Sequence, residues 1–260
     1  KHPDYVASLN NLTSLYDAMS NYALAEPLYK EIMQIKKEIL GEKHPDYASS
    51  LNNLAILYYD IGNYALAEPL LKEALQIKKE ALGEMHPDYA NSLNNLAVLY
   101  DNMGNYALVE PLFKEALNIY KEVLGEKHPD YATNLNNLAE LYRNMGSYAL
   151  AEPLYKKALK IRKEVLGEKH PNYATSLNSL GLLYKQMGNY TLVEPLYKDA
   201  LNINKEVLGE KHPLYAKSLS TLASLYQDMD KDVLAESLFK EALQIEKEVS
   251  GEKHPTYCLL

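Results

Sequence analysis

The chain has 260 residues, 24% of them charged and 47% hydrophobic, with a net charge of −8 at pH 7. That balance belongs to a soluble globular protein, and its interleaved acids and bases exclude a nucleic-acid-binding surface. A single cysteine, Cys258, excludes a disulfide framework and fits a reducing, cytoplasmic setting. No apolar run reaches the roughly 20 residues of a membrane span, and no signal peptide is visible. The chain opens without Met and within a linker, as a piece of a longer protein would.

His-Pro falls at His2, His44, His86, His128, His170, His212 and His254, a step of 42 residues each time. This divides the chain into six repeats, 2–43, 44–85, 86–127, 128–169, 170–211 and 212–253, with a partial seventh over 254–260. A strict period of this length predicts a solenoid in one elongated domain over residues 1–260, each repeat stacking on its neighbours.

The second repeat shows the plan. Pro45 suits the first turn of a helix, and Asp46 favours its positive end. Leu51, Leu54 and Tyr58 then mark one face of helix A, which runs to about Asp60. Gly62-Asn63 is a turn signal. Helix B follows from about Tyr64 to Leu82, with Leu66, Leu70, Ala74, Ile77 and Ala81 on one side, and Gly83 stands where a left-handed cap is wanted. Pro69 and its copies Pro27, Pro111, Pro153 and Pro195 fall inside helix B, where they should bend it. Small residues hold fixed columns, such as Ala55, Ala97, Ala139, Gly181 and Ala223, which lets helices approach closely. Tyrosines fill others, their rings packed and their hydroxyls reaching a polar edge. Tyr120 stands outside those columns.

Leu51, Asn53, Leu54, Ala55, Tyr58, Gly62, Tyr64, Ala67 and Ala74 match, spacing included, the tetratricopeptide (TPR) signature. The usual unit has roughly 34 residues and ends with Pro after helix B; here Lys79 takes that place and helix B continues. With LNNLA in helix A and GEKHPD in the linker, the longer repeat resembles the kinesin light chain type of TPR. The resemblance implies an all-α, right-handed superhelical solenoid of antiparallel hairpins. It also implies a protein-interaction role, with helices A lining a concave groove and no catalytic site.

In helix A, Ser49, Asn52, Ile56 and Tyr59 form a stripe about 100° from the core face. Core columns barely change along the chain, but this stripe does. Ile56 is matched by Ser14, Val98, Glu140, Leu182 and Ser224, and Tyr59 by Asp17, Asp101, Arg143, Lys185 and Gln227. The stripe is therefore expected to be exposed. Within it Asn10, Asn52, Asn94, Asn136 and Asn178 form a ladder, broken by Ser220. Such a ladder can bond the backbone of an extended peptide, the use that the resemblance implies, or stand as a solvated polar face. The adjacent Asn11, Asn53, Asn95 and Asn137 are expected to bond backbone at the hairpin. Arg143 and Lys185, in one column of adjacent repeats, suit a carboxylate or phosphate on the partner, unless Glu140 neutralises Arg143. The expected ligand is an extended protein segment with an acidic stretch across repeats three to five, its side chains received by Ile56, Val98 and Leu182.

The histidines all precede proline in linkers, one repeat apart. With helix steps of about 8–10 Å, shared metal coordination at roughly 2 Å is excluded. No glycine-rich phosphate loop and no unique nucleophile appears, so neither cofactor nor metal is expected. A monomeric peptide-binding scaffold is the leading reading. The alternatives are a regulatory repeat region of a larger signalling protein and a self-assembling array. The terminal repeats carry Ser20 and Asp230 for the turn Gly, Asp232 for a Tyr and Ser237 for the Pro, changes that suit capping ends.

Overall fold

A computed structural model describes residues 3–250, and among these every regular element is an α-helix. The helices are α1 (Pro3–Ala18), α2 (Tyr22–Leu40), α3 (Pro45–Asp60), α4 (Tyr64–Leu82), α5 (Pro87–Asn102) and α6 (Tyr106–Val123). They continue as α7 (Pro129–Asn144), α8 (Tyr148–Leu166), α9 (Pro171–Gln186), α10 (Tyr190–Leu208), α11 (Pro213–Asp228) and α12 (Asp232–Ser250). Odd-numbered helices are helices A and even-numbered ones helices B, with the ends that the repeat predicts. His2, His254, Cys258 and the partial seventh repeat lie outside the described residues.

The His-Pro pair starts helices α3, α5, α7, α9 and α11 by a device the linker reading missed. His44 is extended (φ −82°, ψ 137°), and its Nδ1 accepts the Asp46 N–H at 3.1 Å. His86, His128, His170 and His212 repeat the bond. The imidazole thus satisfies one of the free N–H groups at the helix start, while proline occupies a position that needs none. At the other end of the hairpin Gly83 has φ 88° and ψ 162°. This is the positive-φ extended region open to glycine, not the left-handed helical cap expected from the sequence. Ser20 and Asp230 take φ of 52° and 56° at the turn where the inner repeats have glycine.

Leu51, Leu54 and Tyr58 are buried as the pattern predicts, together with Tyr47, Ala55 and Leu57. Each buried leucine of this kind contributes about 1.5–3 kcal/mol. Helix B meets the expectation in part: Ala74 is buried, and Leu70 and Ile77 pack half-buried against its cluster. Its buried stripe is Ala67, Leu71, Ala74 and Lys78, whereas Leu66 is 45% exposed and Ala81 is exposed. The stripe is turned because a polar residue, Lys78, completes it, and an apolar-only pattern passes over that position. Pro69 lies inside a continuous helix; it and Ala65 are exposed, so the carbonyl that proline leaves unpaired faces water.

The helices gather into two compact units, Lys1–Gly125 and Glu126–Leu260. In the first, α3 packs on both α2 and α4, and α4 on α5. In the second, each helix from α7 to α12 packs on the next, and α7 also touches α9. Tyrosines tie the joints. Tyr58 donates to Glu26 of the preceding repeat at 2.9 Å, as Tyr100 does to Glu68 and Tyr184 to Glu152. A lysine one turn on, Lys72 beside Glu68 at 2.7 Å, holds the Glu68 carboxyl below its ordinary value.

Candidate functional site: the helix A face

In the first unit, Asn10 and Ile56 are exposed, while Ser49, Tyr59, Asn94, Val98 and Asp101 are half-buried. In the second, Leu182 is exposed, and Glu140, Asn178 and Lys185 are half-buried. Asn52 and Asn136 are only 8% and 7% exposed, so the asparagine ladder is not the open rail that the pattern suggested. Within each unit it runs in the seam between neighbouring helices A. The hydroxyls of Ser49, Thr133 and Thr175 bond back to the carbonyls of Pro45, Pro129 and Pro171.

The asparagine that follows the ladder position also corrects the sequence reading. Asn95 does not bond backbone in its hairpin; its Nδ2 donates to Asn52 Oδ1 of the preceding repeat at 2.9 Å. The offset of 43 residues that joins Asn52 to Asn95 leads from Asn136 to Ser179 and from Asn178 to Thr221. Neither substitute reaches across, and the Thr221 hydroxyl is spent on the Lys217 carbonyl at 2.8 Å. Asn136 Oδ1 and Asn178 Oδ1 are accordingly buried without a hydrogen-bond partner. Each such acceptor costs about 1–3 kcal/mol until something donates to it.

The Tyr59 column forms rungs with the same offset. Asn102 donates to the Tyr59 hydroxyl at 2.8 Å. Lys185 pairs with Asp228 at 2.6 Å and donates to Ser224 at 2.9 Å. At the start of the chain the rung joins two acids: burial, with the Asp17 charge adding to it, raises the Asp60 carboxyl above its ordinary value. Tyr29 donates to Asp17, and burial followed by that bond pushes its hydroxyl well up. Arg143, whose side chain is 9% exposed, meets Glu140 at 3.3 Å. Arg143 and Lys185 thus both lie in the second unit, each already holding an internal carboxylate.

One column escaped the sequence reading. Lys78, Tyr120, Arg162 and Asn204 are equivalent positions on helix B, all buried. They change from repeat to repeat as freely as the helix A stripe does. Tyr120 donates to Asn91 at 2.6 Å. Arg162 donates to Ser176 at 2.7 Å, to the Asn172 carbonyl at 3.1 Å and to Thr133 at 3.1 Å. Asn204 donates to Ser218 at 2.8 Å. Burial lowers the Lys78 ammonium below its ordinary value. The signal was the isolated position of Tyr120, a sign that its column is polar elsewhere.

Between α9 and α11 the second unit opens a cavity of about 520 Å³, lined by residues that include Asn178, Leu182, Lys185, Tyr197, Asn204 and Ser220. Gly181 stands beside it for a packing reason: a Cβ there would lie 2.4 Å from Tyr197 Cε1. Burial pushes the Tyr197 hydroxyl up to about 12. Among the described residues no group of three or more His, Cys, Asp or Glu is placed to hold a metal ion. Nor is any helix long and apolar enough to cross a membrane.

The tetratricopeptide repeat family model matches residues 4–80, 60–122, 88–164, 130–206 and 184–248, and the chain belongs to that family. Tetratricopeptide repeats generally mediate protein–protein interactions. The crystal structure of BtubC (BKLC) from P. vanneervenii is similar with a TM-score of 0.68 and 24% identity, over 91% of this chain and 92% of that one. A putative kinesin light chain of nearly identical TPR-like repeats from Podosopora anserina has a TM-score of 0.64 and 25% identity, over 79% of this chain and 97% of that one. The apo form of RapI shares the fold, with a TM-score of 0.64 at 14% identity. The kinesin light chain-like character read from the LNNLA and GEKHPD segments is thus met in these structures. Among curated proteins none matches.

Proposed function

We propose that this chain is a scaffold that binds an extended segment of a partner protein along its helices A. The observation that supports this most is the pair of buried acceptors at Asn136 and Asn178, on the face whose stripe varies from repeat to repeat. A buried carbonyl without a donor is costly, and an extended chain carries N–H groups at regular intervals. Exposed Leu182, in the same unit, offers apolar contact one turn from Asn178. An acidic stretch on the partner would act by exchanging with Glu140 at Arg143 and with Asp228 at Lys185, an exchange of one carboxylate for another. Arg143→Glu with Lys185→Glu tests that part, since unchanged affinity removes the acidic preference.

A displayed library of short random peptides, selected on the chain, tests the reading as a whole. Selected peptides should lose binding on Leu182→Glu and keep it on Leu192→Glu, which lies on helix B. Failure to select any peptide, or the opposite pattern, contradicts it.

A further inference from the structure

The cavity between α9 and α11 exists because the fifth and sixth repeats lack side chains that other repeats carry. Ser179 and Thr221 replace the asparagine of the Asn95 column, and Ser220 replaces the asparagine of the ladder. Gly181 admits the Tyr197 ring that forms part of the lining. What remains is a space of about 520 Å³, ample for one large side chain of a bound segment.

Its polar chemistry is one-sided. Asn204 is 5% exposed, and its Nδ2 is committed to Ser218 at 2.8 Å and to the Leu214 carbonyl at 3.5 Å, which fixes the orientation of the amide. Its Oδ1 is left without a partner, as are Asn178 Oδ1 and Ser220 Oγ, and all three residues line the cavity. Two of these atoms are carbonyl oxygens, which ask for N–H groups. The terminal torsion of asparagine is soft, so the Asn178 carbonyl can turn toward a donor that enters, while Asn204 Oδ1 keeps the direction that its Nδ2 bonds set.

The remaining lining selects among donors. Lys185 and Lys217 border the space, and Lys185 already holds Asp228, so no free carboxylate is present to receive a cation. A lysine or arginine side chain would meet like charge. A carboxylate would pair with Lys217 but leave the two carbonyl oxygens without a donor. A primary carboxamide fits both demands, because its two N–H groups match Asn178 and Asn204 and its carbonyl accepts from Ser220. We propose that this cavity is a specificity subsite for a glutamine or asparagine side chain of the bound segment. It rests on the peptide-binding reading above and adds the chemistry of one anchor residue.

Thr221→Asn provides the test, because it restores at Asn178 the donor that Asn95 gives Asn52 and fills part of the space. Peptides selected from the random library on the wild-type chain are expected to carry Gln or Asn at one fixed position. Replacing that residue by Met, of similar size but without hydrogen bonds, should weaken binding by about tenfold or more. Thr221→Asn should abolish the preference at that position and leave preferences at other positions in place. Thr221→Ala, which leaves Asn178 unpaired, should keep it. Peptides that bind without a carboxamide preference, or whose preference survives Thr221→Asn, would overturn the subsite and leave the groove reading intact. Selection of no peptide at all would overturn both. Melting curves of the two variants ensure that a change in preference is not loss of fold.

Discussion

The two compact units use the same repeat and finish it differently. In the first, Asn95 reaches across the joint and closes the hydrogen-bond demand of Asn52. In the second, the equivalent joints carry Ser179 and Thr221, and the acceptors of Asn136 and Asn178 stay open. On helix B the first unit buries Lys78 and Tyr120, while the second buries Arg162 and Asn204, which cross to the next helix A. At the asparagine rung the first unit is thus closed and the second open, and the second is braced from beneath. A repeat protein can place a binding surface by omission: residues that would complete the internal bonding are replaced by smaller ones, and the demand passes to a partner.

The largest expected effect is on that brace. Arg162→Met removes the group that serves Ser176, Asn172 and Thr133, and should destabilise the chain by about 3 kcal/mol, read by chemical denaturation. Lys78→Met, at the equivalent place in the first unit, removes a cation that burial disfavours and should cost far less. Equal losses would remove the distinction between the two units.

Next come the rungs. Asn95→Ala should cost about 1–3 kcal/mol by leaving Asn52 unpaired, whereas Thr221→Asn should add about 1 kcal/mol by pairing Asn178. Opposite signs in the two melting shifts sharpen the comparison, and equal signs break it.

Smaller effects are expected at the ends. Asp230→Gly relieves a positive φ at the turn of the last described hairpin and should gain about 0.5–1 kcal/mol, again by melting. Asp60→Asn removes one acid of the Asp17–Asp60 rung. Because the folded protein raises the Asp60 carboxyl, its protonated form is favoured by folding, and that stability is lost as pH rises through the raised value. The asparagine variant should therefore match wild type in acid below the ordinary value of 3.8 and exceed it at neutral pH.

Much of this architecture is legible in the 42-residue step. The helix ends, the Leu51/Leu54/Tyr58 face and the family follow from it, because local spacing dictates them. The helix B stripe followed only in part, because its buried face is completed by polar residues whose partners lie on helices A of the same or the next repeat. The same limit hid the role of Asn95, whose partner is 43 residues away, and the Asp228 that occupies Lys185. Column variation singled out one face of helix A. It did not reveal that Asn52 and Asn136 sit in the seam and not on top of it, since exposure between helices depends on how closely they pack.

The central claim is that the unpaired acceptors of the second unit are what a bound segment satisfies. Titration of one selected peptide against the wild-type chain and the Ser179→Asn/Thr221→Asn double variant tests it most directly. Closing both rungs should raise the melting temperature and weaken the peptide by about tenfold or more. A double variant that gains stability and binds the peptide as tightly as wild type would contradict it.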